Sequence, residues 1–221
     1  MNRINQFVWT VGLVAAAAGS VSADTVYVQN LGANGNVGRG VAVTLSNGLT
    51  FASGSTSGVI WAGKRSLLLD GVMFNVFSAE LTGINGDGWY ETRSSGETQN
   101  ELGATKAAAI SRLFGAHDGG KFTGREQTAA FQAMLWEIVY DYDGTEASID
   151  LDSGSVAFKL VNAAEFDSFK ASAMRGGSKP GVGLISGGPL NDSFRIVPLP
   201  STAGLSVLGL LGIASVRRRR A

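Results

Sequence analysis

The chain is 221 residues long, has no cysteine and one histidine, and balances 18 Lys and Arg against 18 Asp and Glu. That length suffices for one domain with a buried core, while the missing cysteines exclude disulfides and thiolate chemistry, and a single histidine gives no basis for a transition-metal site. The formal neutrality hides an asymmetry: Arg3 and Arg217–Arg220 sit at the two ends, every acidic residue lies between them, and the body is therefore five units acidic and unsuited to nucleic acid.

In chain order, Arg3, the apolar run Phe7–Ala18 and Val21-Ser22-Ala23 have the three parts of a secretory signal peptide. Cleavage after Ala23 would start the mature protein at Asp24, and the apolar run is too short to span a bilayer. Residues 24–82 read as strands. Thr25–Asn30 and Gly40–Leu45 alternate, Gly32–Gly40 between them reads as a Gly/Asn-rich mobile loop, and Asn47-Gly48 signals a hairpin leading into a strand at Leu49–Ser53. Gly58–Gly63 and Ser66–Leu81 follow, with Asp70-Gly71 as a second hairpin signal. Thr82–Gln99 is polar and turn-rich. Its Trp89-Tyr90 pair either contacts a ligand or folds back onto the core.

Leu102, Lys106, Ala109, Ile110, Leu113 and Phe114 make one helix face, ended by Gly115. A polar linker carries His117, read as an exposed loop residue. The next helix is the organising one. Phe131, Met134, Leu135, Ile138 and Val139 fall at i, i+3, i+4, i+7 and i+8, the spacing of a buried face. Thr123 with Glu126 has capping-box spacing at its start, and Asp143-Gly144 marks its stop. Gln132 lies at the border of the apolar face, with Trp136 one turn on. The two helices form a helical hairpin. Strands around Ser148–Val161, a short helix Ala163–Met174 and closing strands Gly181–Ser186 and Phe194–Leu199 complete the body. The fold class that follows is α+β: mainly an antiparallel β-sandwich or barrel with an inserted helical hairpin. Residues 1–23 are a signal peptide, 24–197 the folded domain and 198–221 a tail.

The run AFQAMLWEIVYD resembles the Gln-x-Ala-Ile-Trp helix of surface thioester domains of the TQxA type, and more closely their relatives in exported proteins with PEP-CTERM anchors. Gln132 and Trp136 match the family Gln and Trp, Glu137 follows them, and Met134 stands where a small Ala is usual. In that family a Cys on an upstream strand is bonded covalently to the helix Gln. Phe74–Leu81 resembles that strand, with Ser78 in the Cys place, so a thioester is chemically impossible here. The resemblance covers roughly residues 70–195. The C-terminus is similar to a PEP-CTERM sorting tail: Pro198 and Pro200 in a short Pro motif with Leu199 in place of Glu, an apolar stretch Ala203–Val216, then Arg217, Arg218, Arg219 and Arg220. The basic cluster fits the positive-inside rule. The resemblance implies processing by an exosortase-type enzyme after transient anchoring in the inner membrane, and a simple tail anchor is the other reading.

Conventional chemistry finds little support. There is no nucleophile elbow for a Ser hydrolase, and the only His sits in a Gly-rich linker. Ser178–Gly188 is Gly-rich but lacks the Gly-Lys-Ser/Thr order of a phosphate loop and reads as a linker and strand. Asp141, Asp143, Asp150 and Asp152 are the densest carboxylates, but they lack the third acidic position and closing Glu of an EF-hand loop; they are either solvated or a Ca²⁺ site. Serine is a poor nucleophile without a base, so Ser78 and Gln132 are expected to meet through a hydrogen bond from hydroxyl to carboxamide. The alternative is a Ser–Gln ester, needing Glu80 or Glu137 as base. The expected function is non-enzymatic and cofactor-free: an exported cell-surface or matrix protein, with an extracellular polysaccharide or surface protein as partner.

Overall fold

The structure is a computed structural model that describes residues 24–51, 53–81, 87–93, 95–118, 120–122, 124–177, 182–186 and 193–196. Residues 1–23, expected as a signal peptide, and 198–221, expected as a tail, lie outside them. Among the described residues no helix is long and apolar enough to cross a membrane.

Seven strands form one antiparallel sheet: β1 Asp24–Leu45, β2 Ser57–Leu69, β3 Val72–Ser78, β4 Gly88–Arg93, β5 Val156–Lys159, β6 Val182–Ser186 and β7 Ser193–Ile196. Four helices accompany it: α1 Ser95–Leu102, α2 Ala104–Ala116, α3 Arg125–Tyr140 and α4 Ala163–Arg175. The fold is thus mixed α+β, as its sequence predicts. The strands are hydrogen-bonded in the order β2-β3-β7-β6-β4-β1-β5, and β1 also pairs with β2.

β1 organises the sheet. One edge pairs with β2 from Val28↔Leu69 to Thr44↔Ser57; the other pairs with β4 at its beginning and with β5 at its end. Gly32–Gly40, expected as a loop, lies inside this strand. The Gly/Asn content serves register shifts between Asn30 and Ala33 and between Ala33 and Gly38, where β1 bulges against β2. Gly38 and Gly63 face each other there. A Cβ on Gly38 would meet the Ala62 carbonyl oxygen at 2.5 Å, and one on Gly63 the Val37 carbonyl oxygen at 2.6 Å. Both positions need glycine because the two backbones pass too close for a side chain.

The Asp70-Gly71 turn forms as expected. Leu69 pairs with Val72, and φ is 47° and 84° at the two central residues, both positive as a two-residue hairpin demands. Asn47 and Gly48 are also left-handed, but the connection they open runs to Thr56, so Leu49, Thr50, Phe51 and Ser53, expected as strand, carry none.

Helix α3 is central. Every residue from Thr128 to Ile138 is buried, so it has no exposed face over these three turns. It packs on β1, β2 and β5 on one side and on α2 and α4 on the other. α4 contacts both α2 and α3, so the helical layer is a trio rather than a hairpin. A ring cluster fills the centre: Phe131 lies 4.7 Å from Phe77, 5.1 Å from Phe114, 4.9 Å from Phe122 and 5.4 Å from Phe169, centroid to centroid. His117 joins it, 4.7 Å from the Phe169 ring, with Nε2 2.9 Å from the Ser172 hydroxyl. It is half-buried packing, not an exposed loop residue, and burial pushes its pKa down against the opposing pull of Glu165.

The ends of α3 differ from expectation. Its N-cap is Gly124, with no side-chain cap hydrogen bond, and Glu126 instead forms an ion pair with Arg39 of β1. Thr123 lies outside the described residues. The helix ends at Tyr140 with Asp141 as C-cap, three residues before Gly144. α2 runs through Gly115 to Ala116. In α4 the Asn162 side chain does cap, accepting the Glu165 N–H at 3.1 Å.

Candidate functional site at the β3–α3 contact

β3 ends at Ser78, and α3 passes beneath it. Ser78 and Gln132, 54 residues apart, meet as the sequence predicts, but through different atoms. The Ser78 backbone N–H donates to Gln132 Oε1 at 3.1 Å, and Gln132 Nε2 donates to the Ser78 carbonyl at 2.8 Å. The carboxamide is a copy of a peptide group, and here it acts as one, pairing both main-chain groups of Ser78 like a neighbouring strand. The Ser78 hydroxyl turns away and donates to the Glu80 carbonyl at 2.6 Å. Gln132 is fully buried, and these bonds offset the cost of burying its amide. At 100° per residue Met134 lies on another side of α3 from Gln132, so its bulk does not crowd the contact.

Trp136, the second motif residue, is buried and stacks on Phe158 of β5, with centroids 5.8 Å apart and planes 14° from parallel. Its Nε1 has no partner among the described residues. Glu137 follows and is fully buried as well. Its Oε2 accepts the Asp150 N–H at 3.2 Å, and its Oε1 has no partner among the described residues. Burial first, then the Asp141 charge, pushes its pKa up to about 9, with the Asp150 N–H and Lys170 acting the other way. Glu137 is therefore a neutral acid at neutral pH. That removes it as a general base, and its carboxyl is engaged with the Asp150 backbone rather than with Ser78.

Three of the four acidic residues of the cluster accept backbone N–H groups. Asp141 accepts the N–H groups of Ser155 at 2.7 Å and Val156 at 3.0 Å, tying the end of α3 to the start of β5. Asp143 accepts the Thr145 N–H and hydroxyl, both at 2.8 Å, and these bonds hold its carboxyl below the usual range. Asp150 accepts the Asp152 N–H at 2.8 Å. Among the described residues no three His, Cys, Asp or Glu side chains are grouped to hold a metal ion.

Trp89 and Tyr90 lie on β4, not in a loop. Strand alternation sends them to opposite faces: Tyr90 is buried, packed with Val28, Leu67, Leu69 and Val76, and Trp89 is 69% exposed. Opposite Trp89 on β1 is Tyr27, the two rings meeting edge to face at 5.4 Å and 70°. The alternation of Thr25–Asn30 places Tyr27 on the same face as Thr25 and Gln29, but nothing local in the sequence pairs it with Trp89.

No protein-family model matches the chain, and neither the curated proteins nor the solved structures contain a match.

Proposed function

We propose that this is an exported, non-enzymatic surface or matrix protein built on a thioester-like scaffold whose covalent crosslink is replaced by a hydrogen-bonded clamp. The observation that carries it is the pair of hydrogen bonds between the Gln132 carboxamide and the Ser78 main chain, at the two positions that the thioester resemblance pairs. The hydroxyl is engaged with the Glu80 carbonyl and Glu137 is protonated, which argues against the Ser–Gln ester. The run of ladders β1-β2-β3-β7-β6-β4 and back to β1 supports the barrel-like form of the expected fold. The signal-like residues 1–23 and the Pro198–Arg220 tail supply the export and sorting side of the reading, with an exosortase-type enzyme as processing partner.

Intact-mass analysis of the protein purified from its own host tests both halves. The expected species begins at Asp24 and shows no deficit of one ammonia. Retention of Met1 would overturn export, and an ammonia deficit would overturn the clamp in favour of the ester.

A further inference from the structure

The outer face of the sheet at the start of β1 carries the most exposed aromatic of the described residues, Trp89, beside Tyr27, which is 38% exposed. Carboxylates surround the pair. Glu91 shares the outward face of β4 with Trp89 and is exposed; Asp87, two residues before Trp89, has one oxygen on the Asn30 N–H at 2.8 Å; Asp70 has one oxygen on the Tyr27 N–H at 3.1 Å. The strand's basic residue, Arg93, is held between Glu91 and Glu101. The uncharged flanks on β1, Thr25 and Gln29, are exposed and able to hydrogen-bond.

We infer that Tyr27, Trp89, Asp87 and Glu91 form a docking row for a polysaccharide bearing free amines, a polymer of hexosamine units. Charge and size select this occupant. Trp89 and Tyr27 together expose on the order of 200–300 Å², well short of the roughly 800 Å² per partner that a stable protein interface buries. Protein interfaces also exclude charge from their centres, whereas here carboxylates flank the indole. An anionic glycan is repelled by those carboxylates and by the acidic body. A pyranose ring lays its C–H face on the indole, its ammonium is drawn to the aromatic face and to Asp87 and Glu91, and its hydroxyls reach Thr25 and Gln29.

The inference rests on the extracellular reading above, but binding in solution is measured independently of export. The full-length chain is titrated with β-1,4-linked glucosamine oligosaccharides at mildly acidic pH, with the N-acetylated oligosaccharide and a lysine oligopeptide of equal charge as comparisons. Indole emission and calorimetry are the readouts. The expected result is saturable binding of the amine-bearing glycan, tighter than either comparison. Trp89→Ala should weaken it about tenfold, the scale of one good cation–aromatic contact. Glu91→Gln and Asp87→Asn should weaken it less and flatten its salt dependence. Equal binding of the N-acetylated glycan would remove the charge from the argument, and tighter binding of the lysine peptide would assign the row to a basic protein. Unchanged affinity in Trp89→Ala, with the fold intact by circular dichroism, would overturn the site. None of these failures touches the export reading, which stands or falls on the N-terminus of the mature protein.

Discussion

Replacing Glu137 by Gln removes an ionisable proton from the interior while leaving an oxygen able to accept the Asp150 N–H. The folded pKa of about 9 lies far above the ordinary 4.5. Below the unfolded value both states are protonated, and the group adds no pH dependence. Between the two values the unfolded chain ionises while the folded chain stays neutral, so folding takes up a proton and stability falls as pH rises. Each pH unit in that window costs about 1.4 kcal/mol, and the whole window on the order of 6 kcal/mol. A loss of that size is a large share of the stability of a typical domain. Local opening of the Asp141–Val156 segment sets a lower ceiling, because water reaching the carboxylate relieves the penalty. Urea unfolding of both proteins at intervals from pH 5 to pH 9 measures the effect. The expected result is a pH-dependent loss in wild type of under about 1 kcal/mol near pH 5 and a growing advantage for Glu137→Gln toward pH 9, larger by at least about 2 kcal/mol at pH 8. Parallel profiles for the two proteins would refute the neutral buried acid.

Other substitutions separate the parts of the fold. Gln132→Leu leaves the buried main-chain groups of Ser78 unpaired and should cost on the order of 2–5 kcal/mol, whereas Ser78→Ala removes one bond to the Glu80 carbonyl and should cost about 1 kcal/mol; denaturant midpoints in the reverse order would mean that the hydroxyl, not the main chain, holds the contact. Leu135→Asp places an unpaired charge at a fully buried position and should abolish cooperative unfolding, while Glu126→Ala loses a half-exposed ion pair with Arg39 and should cost less than about 1 kcal/mol. Gly63→Ala drives a methyl into the Val37 carbonyl and should destabilise by several kcal/mol, on the order of other overpacked sites; a thermal midpoint equal to that of wild type would show that β1 and β2 can separate there.

What the sequence made legible were features set by near neighbours. Asp70-Gly71 reads as a hairpin because both residues tolerate positive φ, and that preference needs no distant partner. The i, i+3, i+4 pattern located α3, though it understated the burial: small Ala129, Ala130 and Ala133 and polar Gln132 and Glu137 broke the apolar pattern while the sheet and two helices closed over them. Gly32–Gly40 misread as a loop because glycine content is the same for a turn and for a bulged strand whose partner lies on β2. The Ser78–Gln132 pairing came from motif resemblance, since two residues so far apart carry no local sign of contact. That the bonds run through the Ser78 main chain was invisible because every residue has one.

The placement of β1 bears on how the chain reaches this state. Its partner on one edge, β2, follows after the Ser46–Thr56 connection, and β3 pairs onto β2 through the tight Asp70-Gly71 turn, so a three-strand meander can form from residues 24–78 alone. On the other edge β1 waits for β4 at its start and for β5, more than a hundred residues later, at its end. Closing such distant pairs is slow, and until they close that edge presents free peptide groups to any passing strand. The register shifts between Asn30 and Gly38 fall between the stretches that bind β4 and β5. An irregular, glycine-bearing backbone there offers a poor template for a foreign strand, so the bulge that shapes the finished sheet also guards the chain against aggregation while it waits for its own last strands.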